Sequence, residues 1–184
     1  MLHWFRRRAE AHRTAEKLYG SVVAAARHPA FYRDMGVPDT PEGRFELVAA
    51  HLFLMLEGLK GQNSPDPDVA QRTIETFVTD MDDCMREMGV GDMVVGKKVK
   101  RAAGAFYERT SVYRSGLAAQ GTGLEDGIGQ YVFAGDAAAG DGAARLGRYM
   151  RAAAVLSSAE PFDTLVERGG LAHLLEGNGV EEAS

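Results

Sequence analysis

Between Phe45 and Leu59 the sequence reads Phe-Glu-Leu-Val-Ala-Ala-His-Leu-Phe-Leu-Met-Leu-Glu-Gly-Leu, so apolar residues fill almost every helical position. An ordinary surface helix carries its apolar residues on one band and stays polar elsewhere. A membrane-spanning helix needs about 20 predominantly apolar residues. This run is shorter and is broken by Glu46, His51 and Glu57, so it does not span. Two readings stay open: a central helix enclosed on all sides by its neighbours, or a helix that lends part of its apolar surface to a partner.

Enclosing such a helix requires other helices, and the rest of the chain supplies them. Runs of Val, Ile, Thr and aromatic residues that mark strands are scarce. The fold class predicted is all-α, a single compact multi-helix domain with a Gly/Ala-rich, partly irregular C-terminal third. At 184 residues with 45% apolar side chains, one domain has enough material for a core. The divisions expected are a flexible basic segment at 1–12, a helical domain at 13–175 and a disordered tail at 176–184.

The first amphipathic stripe is Ala15, Leu18, Tyr19, Val22, Val23 and Ala26, opposite Arg13, Glu16 and Lys17, and His28-Pro29 ends that helix. A second helix runs from about Glu42 to Lys60, where Gly61-Gln62-Asn63-Ser64-Pro65 breaks it. Asp66-Pro67 reads as an N-cap with proline at the first helical position. The third helix then carries Ala70, Ile74, Phe77, Met81, Cys84, Met85 and Met88 on one stripe, with Gly89 as terminator. Asp92 is expected to cap a fourth, with Val95, Val99, Ala102, Phe106 and Tyr113 inward and Lys97, Lys100, Arg101 and Glu108 outward. Beyond Gly116 we expect a short helix near Leu124–Phe133, a last long one over Ala143–Ser157 and a further turn at Phe162–Arg168.

The residues offer little to catalysis. Gly91-Asp-Met-Val-Val-Gly96-Lys97-Lys98 nearly spells a phosphate-binding loop, but Lys98 stands where the magnesium-binding hydroxyl belongs, and a helix rather than a strand precedes it. The five histidines include no pair at helical spacing, and Cys84, the single cysteine, has no partner for a metal or a disulfide, which makes it core filler in a reducing compartment such as a cytoplasm. Asp80, Asp83 and Glu87 share a helix face without an accompanying histidine and read as a solvated acidic face, with Asp82 and Arg86 as an i,i+4 pair. Ser111, Ser115, Ser157 and Ser158 have neither a nearby histidine nor a nucleophile elbow. The expectation is a non-enzyme without cofactor or metal; the alternative kept beside it is a small cofactor- or nucleotide-binding helical protein or enzyme.

Charge separates the remaining partners. A formal net charge of −5 argues against DNA, whose phosphates call for a basic surface. Arg6 to Arg13 and Lys97 to Arg101 are nevertheless local basic clusters, each able to touch anionic lipid or ribosomal RNA, or to be an ordinary solvated helix face. The arginine-rich start is not followed by the apolar stretch and cleavage site of a secretory signal, so a cytoplasmic location is expected, with peripheral contact at the inner membrane.

Several blocks taken together resemble the bacterial ubiquinol-cytochrome c chaperone family: Tyr19 to Met35 with His28-Pro-Ala-Phe-Tyr32, Gly36-Val-Pro-Asp-Thr to Arg44-Phe45, the His51-Leu-Phe-Leu helix, and Met88-Gly-Val-Gly-Asp92 through Gly96-Lys-Lys-Val-Lys100 to Ala105-Phe-Tyr107. Order and spacing are retained over roughly Arg13 to Gly116. The resemblance implies a helical, non-catalytic assembly factor for the respiratory ubiquinol–cytochrome c reductase, with cytochrome b or another reductase subunit as client. Mitochondrial relatives hold newly made cytochrome b with a small partner protein and associate with ribosomes. On that reading the candidate partner-binding residues are Tyr32, His51, Leu52, Met55, Lys97, Lys98 and Arg101.

Overall fold

The computed structural model describes residues 2–60, 68–119 and 121–167 (for 2–5 and 7, the backbone), and every element in it is helical. In chain order these are α1 (Leu2–Ala26), α2 (Pro29–Arg33), α3 (Pro41–Gly58), α4 (Val69–Glu87), α5 (Asp92–Ala118), α6 (Gly123–Tyr131), a 3-10 turn at Ala137–Ala139, α7 (Gly140–Ala159) and α8 (Phe162–Glu167). The Asp66-Pro67 cap, the Gly61–Pro65 break and the 176–184 tail lie outside the described residues.

Local chemistry sets most helix ends. At the start of α3, Thr40 Oγ1 accepts from the Gly43 amide at 3.1 Å while Pro41 occupies the first helical position. His28 caps α2 in the same way, its Nδ1 accepting from the Ala30 amide ahead of Pro29. At the end of α4, Gly89 takes a φ of +81°, its amide bonds to the Arg86 carbonyl, and the Val90 amide reaches back to Met85. Those two bonds make a Schellman terminator, which a glycine adopts without a Cβ penalty.

The structure decides between the two readings of the Phe45–Leu59 run. Leu47, His51, Leu52, Leu54 and Met55 have no exposed surface, and Ala49, Ala50 and Phe53 are 1% exposed. Helix α3 packs on α1, α5 and α7 and is therefore the central helix of the bundle. Burying each Leu, Phe or Met contributes about 1.5–3 kcal/mol, which is why so short a segment organises the domain. Close approach is permitted where side chains are absent. A Cβ on Gly58 would lie 2.9 Å from the Ser157 Cβ of α7, and one on Gly116 would lie 2.6 Å from the Leu124 Cα of α6.

Four expectations need correction. Helix α1 begins at Leu2 rather than near Ala11. Gly91, not Asp92, is the N-cap of α5; Asp92 is its first residue and its carboxylate is held by Arg86. Cys84 is exposed rather than core filler, because the apolar stripe of α4 continues past the point where the bundle covers it. Asp80 is not merely solvated, since it accepts from the Tyr19 hydroxyl at 2.6 Å. Elsewhere the stripes agree: Ala15, Leu18, Tyr19, Val22 and Ala26 of α1 are buried, and so are Val95, Phe106 and Tyr113 of α5. Among its described residues the Gly/Ala-rich third is irregular at 119 and 121–122, over 132–136 and at 160–161, and the helices between them bury Leu124, Ile128, Leu146, Tyr149 and Met150.

Candidate functional site

Helix α5 carries a cluster of exposed basic and apolar residues. Its inner line, Val95, Phe106 and Tyr113, is fixed in the core, so residues half a turn away point outward by the 3.6-residue period. Lys97, Lys98, Lys100 and Arg101 are all exposed there, as are Met93 at 93% and Tyr107 at 56%. The backbone is helical from Asp92 onward. Gly96 to Lys98 therefore belong to a helix and form no phosphate-cradling loop.

Beside this face, α4 and α5 leave an open apolar groove of about 350 Å³. Ile74, Phe77 and Val78 of α4 face Ala103, Phe106 and Tyr107 of α5, with Gln71 and Glu75 at the rim. Its floor is an aromatic cluster in which Phe77 packs 5.5 Å from Phe106 and 6.2 Å from Phe45. Beneath the same wall Arg109 donates to both carboxylate oxygens of Glu46 at 2.5 and 2.6 Å, and its guanidinium lies 4.4 Å from the Tyr131 ring centre. Burial pushes the Glu46 carboxyl above its ordinary range, and the two hydrogen bonds from Arg109 oppose that shift without cancelling it. A bidentate pair in this setting locks α3 to α5.

The residues read from sequence divide by burial. Lys97, Lys98 and Arg101 are on the open face of α5. Tyr32 is half-buried on α2, its hydroxyl donating to the Ala26 carbonyl at 3.1 Å. His51, Leu52 and Met55 are fully enclosed, and in this conformation none offers surface to a partner. His51 has instead a structural assignment. Its Nδ1 lies 2.7 Å from the Leu47 carbonyl and its Nε2 lies 2.9 Å from the Tyr149 hydroxyl. A carbonyl only accepts, so Nδ1 carries the proton and Nε2 accepts from Tyr149. Phe31 packs edge-on against both rings, 5.1 Å from His51 and 5.0 Å from Tyr149. Burial lowers the imidazole pKa to about 4, against a smaller upward pull from the Leu47 carbonyl, so the ring is neutral.

Met93, Tyr107 and the α4 wall of the groove escaped the sequence reading. The signal was present: Met93 and Tyr107 are large apolar residues out of phase with Val95 and Phe106. No stripe claims them, and only the positions of neighbouring helices show that no described element covers them. Burial, then the charge of Asp80, raise the Cys84 thiol pKa, which leaves it a poor nucleophile. Among the described residues no group of three or more His, Cys, Asp or Glu side chains is placed to hold a metal ion. No helix among them is long and apolar enough to cross a membrane.

A family model described as ubiquinol-cytochrome C chaperone matches residues 33–169. The crystal structure of the Cbp3 homolog from Brucella abortus superposes with a TM-score of 0.77 at 32% identity, over 90% of this chain and 92% of that one. Comparison with curated proteins gives no significant match.

Proposed function

Because the chain belongs to the ubiquinol-cytochrome C chaperone family, we propose that it is an assembly factor that holds cytochrome b, or another subunit of the ubiquinol–cytochrome c reductase, before that subunit joins the complex. The observation that carries the reading is the apolar groove between α4 and α5, open to solvent and lying next to the basic face of α5. An unassembled subunit of a membrane complex exposes apolar helical surface. A groove lined by Ile74, Val78 and Tyr107 gives such a helix somewhere to lay two or three side chains. Helix α3 serves this function indirectly: through Phe45 and Glu46 it sets the spacing of the groove's floor. Tyr32, His51, Leu52 and Met55 hold the scaffold, and Lys97, Lys98 and Arg101 meet an anionic neighbour, a membrane surface or a ribosome. The protein then works in the cytoplasm at the inner face of the membrane.

Site-specific photocrosslinking in cells tests this directly. Probes at Ile74, Val78 and Tyr107 should capture a reductase subunit, whereas probes at exposed positions of α1 such as Arg13 should not. Equal capture from both surfaces, or a deletion strain with normal amounts of assembled cytochrome b, refutes the proposal.

A further inference from the structure

The outer line of α5 has a composition that its own domain does not explain. Met93, Lys97, Lys100, Arg101, Gly104 and Tyr107 recur at helical spacing opposite Val95 and Phe106, so they form one continuous strip. Between Met93 and Tyr107 there is no carboxylate. None of Lys97, Lys98, Lys100 and Arg101 is in an ion pair among the described residues. The acids nearest in sequence are largely occupied. Asp82 and Asp92 are both held by Arg86, and Glu108 accepts from the Tyr131 hydroxyl, while Asp83 and Glu87 stand exposed on α4. The apolar members are not single strays: Val94 is 48% exposed beside Met93, and Met88, 63% exposed, sits across the short α4–α5 turn.

We propose that this strip lies on an anionic lipid bilayer, with Met93 and Val94 entering the boundary between headgroups and acyl chains, Tyr107 at the interface, Lys97, Lys100 and Arg101 reaching the lipid phosphates, and Lys98 on the flank beside Arg101. Long basic side chains lay their methylene stems along apolar surface while the charged ends stay in the polar layer, and tyrosine suits the same boundary. The charge is complementary in a way that also orients the molecule: the basic strip is drawn to the surface, and the remainder of this acidic chain is turned away. An RNA surface would use the cations equally well but would gain little from Met93 and Val94, which is why the bilayer is favoured. The inference rests on the reading of Lys97, Lys98 and Arg101 as contacts to an anionic neighbour; it shares Tyr107 with the lining of the groove and needs no client to be tested.

Flotation of the full chain with vesicles tests it, using pure phosphatidylcholine and phosphatidylcholine with about 30% phosphatidylglycerol. The intact protein should float with the anionic vesicles only. The variant K97E/K98E/K100E/R101E, and separately M93S/V94S/Y107S, should each bind at least about tenfold more weakly. Met93→Trp in a chain whose native tryptophan is replaced, Trp4→Phe, provides a second readout: its fluorescence should be quenched by lipids brominated in their acyl chains, and an unquenched signal overturns the inference. It is also overturned if the intact chain does not float, if it floats equally on neutral vesicles, or if M93S/V94S/Y107S binds as the parent does. A parallel titration with a stem-loop RNA separates the two levels. RNA binding without flotation overturns the bilayer and keeps an anionic neighbour, whereas binding to neither overturns both.

Discussion

Replacing His51 with glutamine should flatten the acid limb of the stability curve, because the imidazole titrates differently inside and outside the fold. In the native protein it is fully enclosed, with its Nε2 accepting from Tyr149 and, among the described residues, no carboxylate acting on the ring. Its folded pKa is about 4 against an ordinary 6.5. Between those values the unfolded chain takes up a proton that the native chain refuses, so stability falls as the pH falls. The contribution is fully present above about pH 6.5 and fully lost below about pH 4. An interval of about 2.5 pH units at about 1.4 kcal/mol per unit makes the whole loss about 3 kcal/mol, of which about 2 kcal/mol is gone by about pH 5. Glutamine does not titrate, and it costs about 2 kcal/mol of packing and hydrogen bonding at neutral pH. Urea denaturation of both proteins at about pH 7.5, 6 and 5 isolates the effect, since Glu46 and the exposed carboxylates are common to the two chains. The parent's advantage should shrink by about 2 kcal/mol from the highest pH to the lowest. An advantage constant to within about 0.5 kcal/mol would show that His51 protonates as readily in the fold as outside it, and would refute the neutral, enclosed imidazole.

Leu52→Ala and Met55→Ala should each lower unfolding free energy by about 2–5 kcal/mol in urea while leaving client capture per folded molecule unchanged. A selective loss of capture would return these residues to the binding surface. Arg109→Ala strands the Glu46 carboxylate in the wall between α3 and α5 and should cost about 3 kcal/mol, whereas E46L/R109M should recover most of that in the same assay. Gly116→Ala, which sets a Cβ 2.6 Å from the Leu124 Cα, should destabilise by about 1–3 kcal/mol, and Gly96→Ala, with nothing within 4 Å, should stabilise by up to about 1 kcal/mol. Thermal melting of the two glycine variants should therefore shift in opposite directions.

Much of this architecture was legible as local pattern. The stripe of α1, the Gly89 terminator and the His28-Pro29 boundary follow from backbone sterics and helical period, which operate within a few residues. Asp92 shows the limit of such reading. Its carboxylate suits an N-cap, yet Arg86 from the preceding helix claims it and Gly91 takes the cap. Cys84 shows another: period assigns a residue to a side of a helix but says nothing of where the neighbour on that side stops. Met93 and Tyr107 are the same effect in reverse, since their positions on α5 were readable and their exposure was not.

Residue pattern is enough to establish that the chain is helical, that the Phe45–Leu59 run cannot cross a bilayer, and that its ordered motifs resemble an assembly-chaperone family. Whether that run is scaffold or binding surface was decided only by tertiary structure. Enclosure depends on contacts between residues far apart in the chain, such as His51 with Tyr149, 98 positions apart, and Glu46 with Arg109, 63 apart. Period and propensity act over one or two helical turns, so they specify what each helix can bury; which neighbours arrive to bury it is settled when the helices pack.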